Sequence, residues 1–109
     1  MSEQTTLFRV DKFVVPIESK VEFLERVWAT HEILCQQPGF IRDMILEQCA
    51  GPGRFNIVTI AEWQSQDAID AARTVVQEAH AKTGFNSQES IKRLGIESDI
   101  ADYRRVDDR

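Results

Sequence analysis

The order of strand-like and helix-like segments is the feature that most restricts the fold of this chain. Two segments repeat apolar residues every three or four positions, which predicts amphipathic helices at residues 20–36 and 66–82. Four segments have the apolar and β-branched character of strands, at residues 7–15, 40–49, 54–63 and 96–105. The order β-α-β-β-α-β predicts an α+β fold of the ferredoxin-like type, with a four-stranded antiparallel sheet and both helices on one face.

Turn and capping residues mark the ends of these segments. The Gly/Pro-rich loop at residues 50–53 predicts an antiparallel hairpin between the second and third strands. Ser19, with Glu22 three residues later, predicts a capping box at the first helix, and Ser65 predicts a cap at the second.

The segment at residues 84–95 follows the second helix. It starts with Gly84, which we expect to cap that helix, and it continues into a short extra helix at residues 87–94. Such a segment could cover a pocket or mediate a higher assembly, and the sequence leaves both open. The last four residues, 106–109, are mostly polar and are expected to fray.

Length and charge exclude several classes of protein. The chain has 109 residues, which fits a single domain over residues 1–109, and no apolar run approaches the roughly 20 residues of a membrane span. Its first ten residues lack the pattern of a secretory signal, so we expect a cytoplasmic protein. The net charge is −5 and no basic stripe is present, which disfavours nucleic acid and anionic membranes as partners.

Cysteine and histidine spacing does not predict a metal site. Cys35 and Cys49 are too far apart for a CxxC motif, and no His/Cys cluster has zinc-site spacing. We expect both cysteines to be reduced thiols that pack as small hydrophobic residues. No metal ligand set and no cofactor motif, such as GxGxxG or a P-loop, is predicted.

Both faces of the predicted sheet carry large apolar residues. In the third strand Ile57 and Trp63 point one way and Val58 and Ile60 the other, and in the second strand Phe40, Met44 and Leu46 share a face opposite Ile41 and Ile45. The helices can cover only one face, and an exposed apolar sheet face is unusual in a soluble monomer. The pattern therefore predicts a homodimer packed sheet against sheet, the alternative being a monomer with a mixed outer face.

Several short motifs resemble the antibiotic biosynthesis monooxygenase superfamily. These are Pro16 at the end of the first strand, the run PGF at residues 38–40, and the run TIAEWQSQDAIDAA at residues 59–72, in which a strand ends in Trp63 and a Ser-x-x-Ala helix start follows. The resemblance covers roughly residues 8 to 83. It implies a dimeric α+β barrel with a pocket between helices and sheet in each protomer, and its motifs specify fold better than chemistry.

The resemblance also implies a range of activities. The superfamily includes cofactor-free oxygenases of quinol or anthrone-like aromatics, haem-degrading monooxygenases and a few isomerases. The haem-degrading branch uses an Asn on the first strand, a Trp within the second helix and a His about ten residues later. Here His80 matches the last element, but Asp70 stands ten residues before it, and the first strand has no Asn, with Asp11 and Lys12 near the position where that branch carries one. Haem degradation is therefore not expected.

His80 and His31 are the candidate catalytic residues. Each lies on or beside the apolar stripe of its predicted helix, where a neutral imidazole could take a proton from a phenolic substrate. The candidate substrate-binding residues are Trp28, Trp63, Asn56 and Phe23. For each of these the alternative is a structural role, in the core for the aromatic residues and at a surface or interface for Asn56.

Three functions follow from these residues. The first is a cofactor-free monooxygenase that oxidises a small aromatic or quinol-type substrate with O2 in the pocket. The second is a non-catalytic dimer that binds a small hydrophobic or aromatic ligand. The third is an isomerase or lyase that uses a pocket His as general base, and the fold does not decide among them.

Overall fold

The computed structural model describes residues 5–106, so the expectation for residues 107–109 lies outside the described part. The strands are β1 (Leu7–Val14), β2 (Phe40–Glu47), β3 (Ile57–Trp63) and β4 (Glu97–Arg104). The helices are α1 (Lys20–Leu34), α2 (Gln66–Thr83) and the short α3 (Ser87–Arg93). A 3₁₀ turn at Ile17–Ser19 leads into α1. The predicted ferredoxin-like order and the short extra helix are confirmed.

The four strands form one sheet in the order β2-β3-β1-β4, with every neighbouring pair antiparallel. The central strands β1 and β3 pair from Leu7 opposite Trp63 to Phe13 opposite Ile57. Because side chains alternate between the faces of a strand, this register fixes which residues lie under the helices. On β3 the helix-facing residues are Ile57, Thr59, Ala61 and Trp63, all of which are buried.

Two separate apolar clusters lie between the sheet and the helices. The larger cluster contains Phe13, Val15, Phe23, Val27, Ile57 and Ile96. The smaller cluster, at the other end of the sheet, contains Ala61, Trp63, Ile69 and Ala72. Burial of these side chains contributes roughly 25 cal/mol per Å² of apolar surface and holds both helices on the sheet.

Polar side chains cross the helix-facing side of the sheet between the two clusters. These side chains come from two adjacent rows of residues that are paired across the strands. One row contains Thr59 and Asp11, and the next contains Asp43, Arg9 and Asp102. We call these five residues the polar belt. A polar group under a helix costs free energy unless it is hydrogen-bonded, so a belt here indicates a cavity or a functional site.

One strand residue does not lie on the predicted face. The register of β2 shifts between Phe40 and Arg42, which is a β-bulge, and the bulge moves Phe40 to the helix side of the sheet. There its ring packs edge-to-face on Trp63 with centroids 5.3 Å apart. The prediction that Phe40 shares a face with Met44 and Leu46 is therefore wrong.

Two local predictions at the helix ends are confirmed and one is wrong. Ser65 caps α2 by accepting a hydrogen bond from the Ala68 amide, and Gly84 ends α2 with a φ of +74°. Ser19 makes no such cap. Its hydroxyl instead donates to the Leu94 carbonyl oxygen at 2.9 Å, which ties the start of α1 to the end of α3.

The two cysteines also differ from expectation. Cys35 and Cys49 are both free thiols and both exposed, so they do not pack as small core residues. Cys35 lies just beyond the end of α1, and Cys49 lies two residues past the end of β2. Both thiols are exposed because neither residue lies between the sheet and the helices.

Candidate functional site

A cavity of about 250 Å³ lies between the sheet and all three helices, beside the larger apolar cluster. Its floor is the sheet, which contributes Arg9, Asp11, Phe13, Thr59 and Ile100. One wall is α1, and the other is formed by Val76 and His80 of α2 with Phe85, Ser87, Ser90 and Ile91 of the following segment. Such a mixture of apolar walls and a few convergent polar groups is typical of small-ligand pockets.

The wall that α1 provides is one continuous helical stripe. Its residues follow the i, i+3, i+4, i+7, i+8 spacing that puts side chains on one helix face: Phe23, Arg26, Val27, Thr30 and His31. Phe23 and Val27 belong to the larger apolar cluster and anchor the stripe. Arg26 and His31 lie on opposite edges of it, about 7.5 Å apart along the helix axis from the rise per residue.

His31 is held by an aspartate of the polar belt. Its Nδ1 lies 2.7 Å from Oδ2 of Asp43, and the His31 side chain is 12% exposed. Since an ionised carboxylate can only accept, Nδ1 is the donor, and in the neutral form of the ring Nε2 keeps its lone pair. Nε2 has no hydrogen-bond partner among residues 5–106 and is not fully buried.

Asp11 and Arg9 form the floor beneath His31. The Arg9 guanidinium donates to Asp11 at 3.2 Å and to Asp102 at 3.4 Å, so one cation bridges two carboxylates. Burial raises the pKa of Asp11, although the charges of Arg9 and His31 act in the opposite direction. The carboxyl of Asp11 therefore holds its proton to a higher pH than an exposed aspartate does.

His80 lies on the opposite wall. Its ring packs edge-to-face on Phe85 with centroids 4.9 Å apart. Burial and, to a smaller extent, the charge of Arg26 lower the pKa of His80. The imidazole of His80 is accordingly neutral at physiological pH and can act as a hydrogen-bonding wall of the cavity.

Three of the six residues chosen from the sequence line this cavity, namely His31, His80 and Phe23. The other three are Trp28, Trp63 and Asn56, and the structure places them elsewhere. Trp28 points off the pocket-facing stripe of α1 and is 55% exposed. Trp63 is buried in the smaller apolar cluster. Asn56 bonds both backbone groups of Val15, which fastens the start of β3 to the end of β1.

Several residues of the site were not chosen from the sequence. Asp43, Arg9 and Thr59 had a signal, because each is a polar residue at a helix-facing position of a strand whose neighbours are apolar. No sequence signal pointed to Arg26 or Phe85 as residues of the site. Their places depend on how α1 rotates against the sheet and on how the segment after α2 folds back.

The described part of the chain gives two further findings. No three His, Cys, Asp or Glu side chains within residues 5–106 lie close enough together to hold a metal ion. None of the helices that the structure describes is long and apolar enough to cross a membrane.

Solved structures with the same fold include enzymes. A cofactor-independent oxygenase, SnoaB from Streptomyces nogalater, superposes with a TM-score of 0.67 at 23% identity, covering 95% of this chain and 96% of that one. The haem degrader MhuD from Mycobacterium tuberculosis superposes with a TM-score of 0.69 at 18% identity, covering 94% and 98%. A protein of Nitrosomonas europaea provisionally assigned as an antibiotic biosynthesis monooxygenase gives 0.67 at 16%, covering 97% and 94%. No protein-family model and no curated protein matches the sequence.

Proposed function

From the fold of the antibiotic biosynthesis monooxygenases, which this chain has, and from the His31–Asp43 pair facing the cavity, we propose a monooxygenase-type oxidoreductase. Its substrate is a small aromatic of the quinol or anthrone type, and no cofactor takes part. The His31–Asp43 hydrogen bond carries the proposal, because it engages Nδ1 of a histidine that lines the cavity and leaves Nε2 as the nitrogen that can take a proton.

The reaction starts with proton removal. His31 Nε2 takes a proton from the activated position of the substrate, and Asp43 stabilises the imidazolium that results. The substrate anion gives one electron to O2, and the carbon radical and superoxide combine to a peroxide anion. The His31 imidazolium returns its proton to this anion, which gives a hydroperoxide. Loss of water leaves a carbonyl, so a CH2 becomes C=O, with one oxygen atom in the product and the other in water.

The remaining pocket groups support this chemistry. Phe13, Phe23 and Val27 exclude water from the ring system and hold it against the sheet. Thr59 and the protonated form of Asp11 can donate hydrogen bonds to a substrate oxygen. His80, neutral on the opposite wall, is the second candidate for the base.

The size of the cavity favours small aromatic substrates. A volume of about 250 Å³ lies just below the range of roughly 300–1,000 Å³ that is usual for ligand pockets, which favours a ligand of two or three fused rings. A porphyrin is far larger. Together with the residues that depart from the haem-degrading pattern, this argues against haem as the substrate.

An isomerase is the second candidate, and the same observation favours it. A base held by a carboxylate can move a proton between two positions of a substrate without O2. Product formation under nitrogen would identify this activity. A dimer that only binds its ligand would show saturable binding and no turnover with or without O2.

We also propose that the protein is a homodimer. The face of the sheet away from the helices carries an apolar surface made of Phe8, Val10, Met44, Leu46, Val58, Ile60 and Tyr103. Met44 and Leu46 are exposed there, at 50% and 44%. A second copy related by a two-fold axis would remove this surface from water.

The test is oxygen uptake by the purified, metal-free protein across a panel of hydroquinones and anthrones. We expect uptake by the wild type and a loss of roughly 10²-fold or more in His31→Ala. His80→Ala, whose side chain is on the opposite wall, separates the two candidate bases. Absence of uptake on every compound would overturn the oxygenase proposal.

A further inference from the structure

Arg26 is the cation at the open end of the cavity. It lines the pocket, and its guanidinium carbon lies 4.0 Å above the centroid of the Phe85 ring. Stacking of this kind fixes the plane of the guanidinium while its N–H groups stay free to donate. Among the described residues no carboxylate comes within 4.0 Å of it.

The other arginine of the pocket behaves differently. Arg9 already bridges Asp11 and Asp102, so its charge is matched by protein carboxylates. Arg26 is therefore the arginine of the lining that has no carboxylate partner among residues 5–106.

The acidic residues around Arg26 do not neutralise it by contact. Glu22, one turn earlier on α1, pairs with Arg93 of α3 at 2.5 Å. Glu18 and Glu25 line a second, open groove that Arg26 also lines, and neither carboxylate comes within 4.0 Å of the guanidinium. On the cavity side the neighbours are neutral or hydroxylic, namely Thr30, Ser87, Ser90 and the neutral imidazole of His80.

We propose that Arg26 binds a carboxylate on the aromatic substrate. The planar fork of the guanidinium matches a carboxylate, and the stacked Phe85 ring extends the apolar wall toward the ring system that bears it. His31 lies on the other edge of the α1 stripe. The proposed substrate therefore has its acidic hydroxyl or CH2 group near His31 and its carboxylate near Arg26. This substrate class rests on the proposed function, whereas the carboxylate site itself can be tested without turnover.

The test is calorimetric titration with a matched pair of probes, 6-hydroxy-2-naphthoate and 6-hydroxy-2-naphthamide. The two share the ring and the hydroxyl and differ in the charge at the far end. We expect the wild type to bind the acid about 10-fold more tightly than the amide, a modest factor because Arg26 is partly solvated. Added salt should reduce the difference.

Variants locate the site. Arg26→Gln should bind acid and amide equally, with the affinity for the amide unchanged, and Arg26→Lys should keep part of the preference. Arg73→Gln, which removes an exposed arginine of α2 that does not line the cavity, is the control and should keep all of it. Equal binding of the two probes by the wild type overturns the carboxylate site, as does a preference that survives in Arg26→Gln.

The two proposals fail in different ways. A preference for the acid that depends on Arg26, together with no oxygen uptake, supports the carboxylate site and removes the oxygenase. Oxygen uptake on neutral anthrones by a protein that does not discriminate acid from amide supports the oxygenase and removes the carboxylate site.

Discussion

His31 Nδ1 and Asp43 Oδ2 lie 2.7 Å apart, so a residue of α1 and a residue of β2 act as one hydrogen-bonded pair beneath the pocket wall. The geometry makes Nδ1 the donor and Nε2 the acceptor. In Asp43→Asn the amide can either donate or accept, and the charge that favours a proton on Nδ1 is gone. We expect kcat to fall by roughly 10²-fold with KM little changed, because Asp43 does not itself line the cavity.

A readout independent of turnover tests the same pair. The ¹⁵N shifts of the His31 ring should report the Nδ1–H tautomer in the wild type and a mixture in Asp43→Asn. Asp102→Asn is the matched control, since Asp102 belongs to the polar belt but contacts Arg9. An unchanged tautomer together with full activity in Asp43→Asn would contradict the positioning role.

The element order, the antiparallel sheet and the helix-covered face could be predicted from the sequence, because each depends on local period and on turn residues such as Ser65 and Gly84. His31 and His80 could also be predicted as pocket residues, because each lies beside the apolar stripe of its helix. The pairing of His31 with Asp43 was not, because it depends on how α1 rotates against the sheet and brings His31 to β2. Trp28 was misplaced for a similar reason, since α1 turns Phe23 and Val27 rather than Trp28 toward the sheet.

The pKa of His80 gives a prediction about pH. Burial and the Arg26 charge lower the pKa of His80, and the other charged or titratable groups that line the cavity are Arg9, Asp11 and His31. Arg26→Gln should therefore raise the pKa of His80 part of the way toward its ordinary value, as measured by NMR titration of the ring protons. Because the pKa is lowered on folding, protonation of His80 opposes folding, and its contribution to stability is lost as the pH falls through the lowered pKa.

Asp11 should show the opposite dependence. Its pKa is raised by burial, so ionisation of Asp11 opposes folding, and the stability it contributes at low pH is lost as the pH rises through the raised pKa. Asp11→Asn removes this ionisation, while Arg9 keeps Asp102 as a partner. We expect a Tm a few degrees above the wild type at pH 7, with the gap narrowing below pH 4. A gap of the same size at both pH values would mean that ionisation of Asp11 is not its cause.

Gly39 holds the turn before β2 against the start of α2. Its φ is +87°, and a Cβ built on it would lie 2.5 Å from the Ala68 Cβ. Gly39→Ala should cost about 1–2 kcal/mol for the backbone conformation and about 1–3 kcal/mol more for the overlap. Gly51 has a φ of +95° and open space around it, so Gly51→Ala isolates the first contribution. Denaturant unfolding measures the loss of unfolding free energy in each variant. Adding Ala68→Gly to Gly39→Ala removes the methyl group that the new Cβ would overlap, and should recover that part of the loss.

The apolar outer face of the sheet gives a prediction about assembly. Leu46 is 44% exposed on that face, and Leu46→Lys should place an unpaired charge in the proposed contact between two copies. We expect sedimentation to show a dimer for the wild type and a monomer with an unchanged fold for the variant. Ile17→Lys is the matched control, because Ile17 is 81% exposed in the turn before α1 and lies off the sheet. A wild type that sediments as a monomer, or a Leu46→Lys variant that remains a dimer, would show that this face does not join two copies.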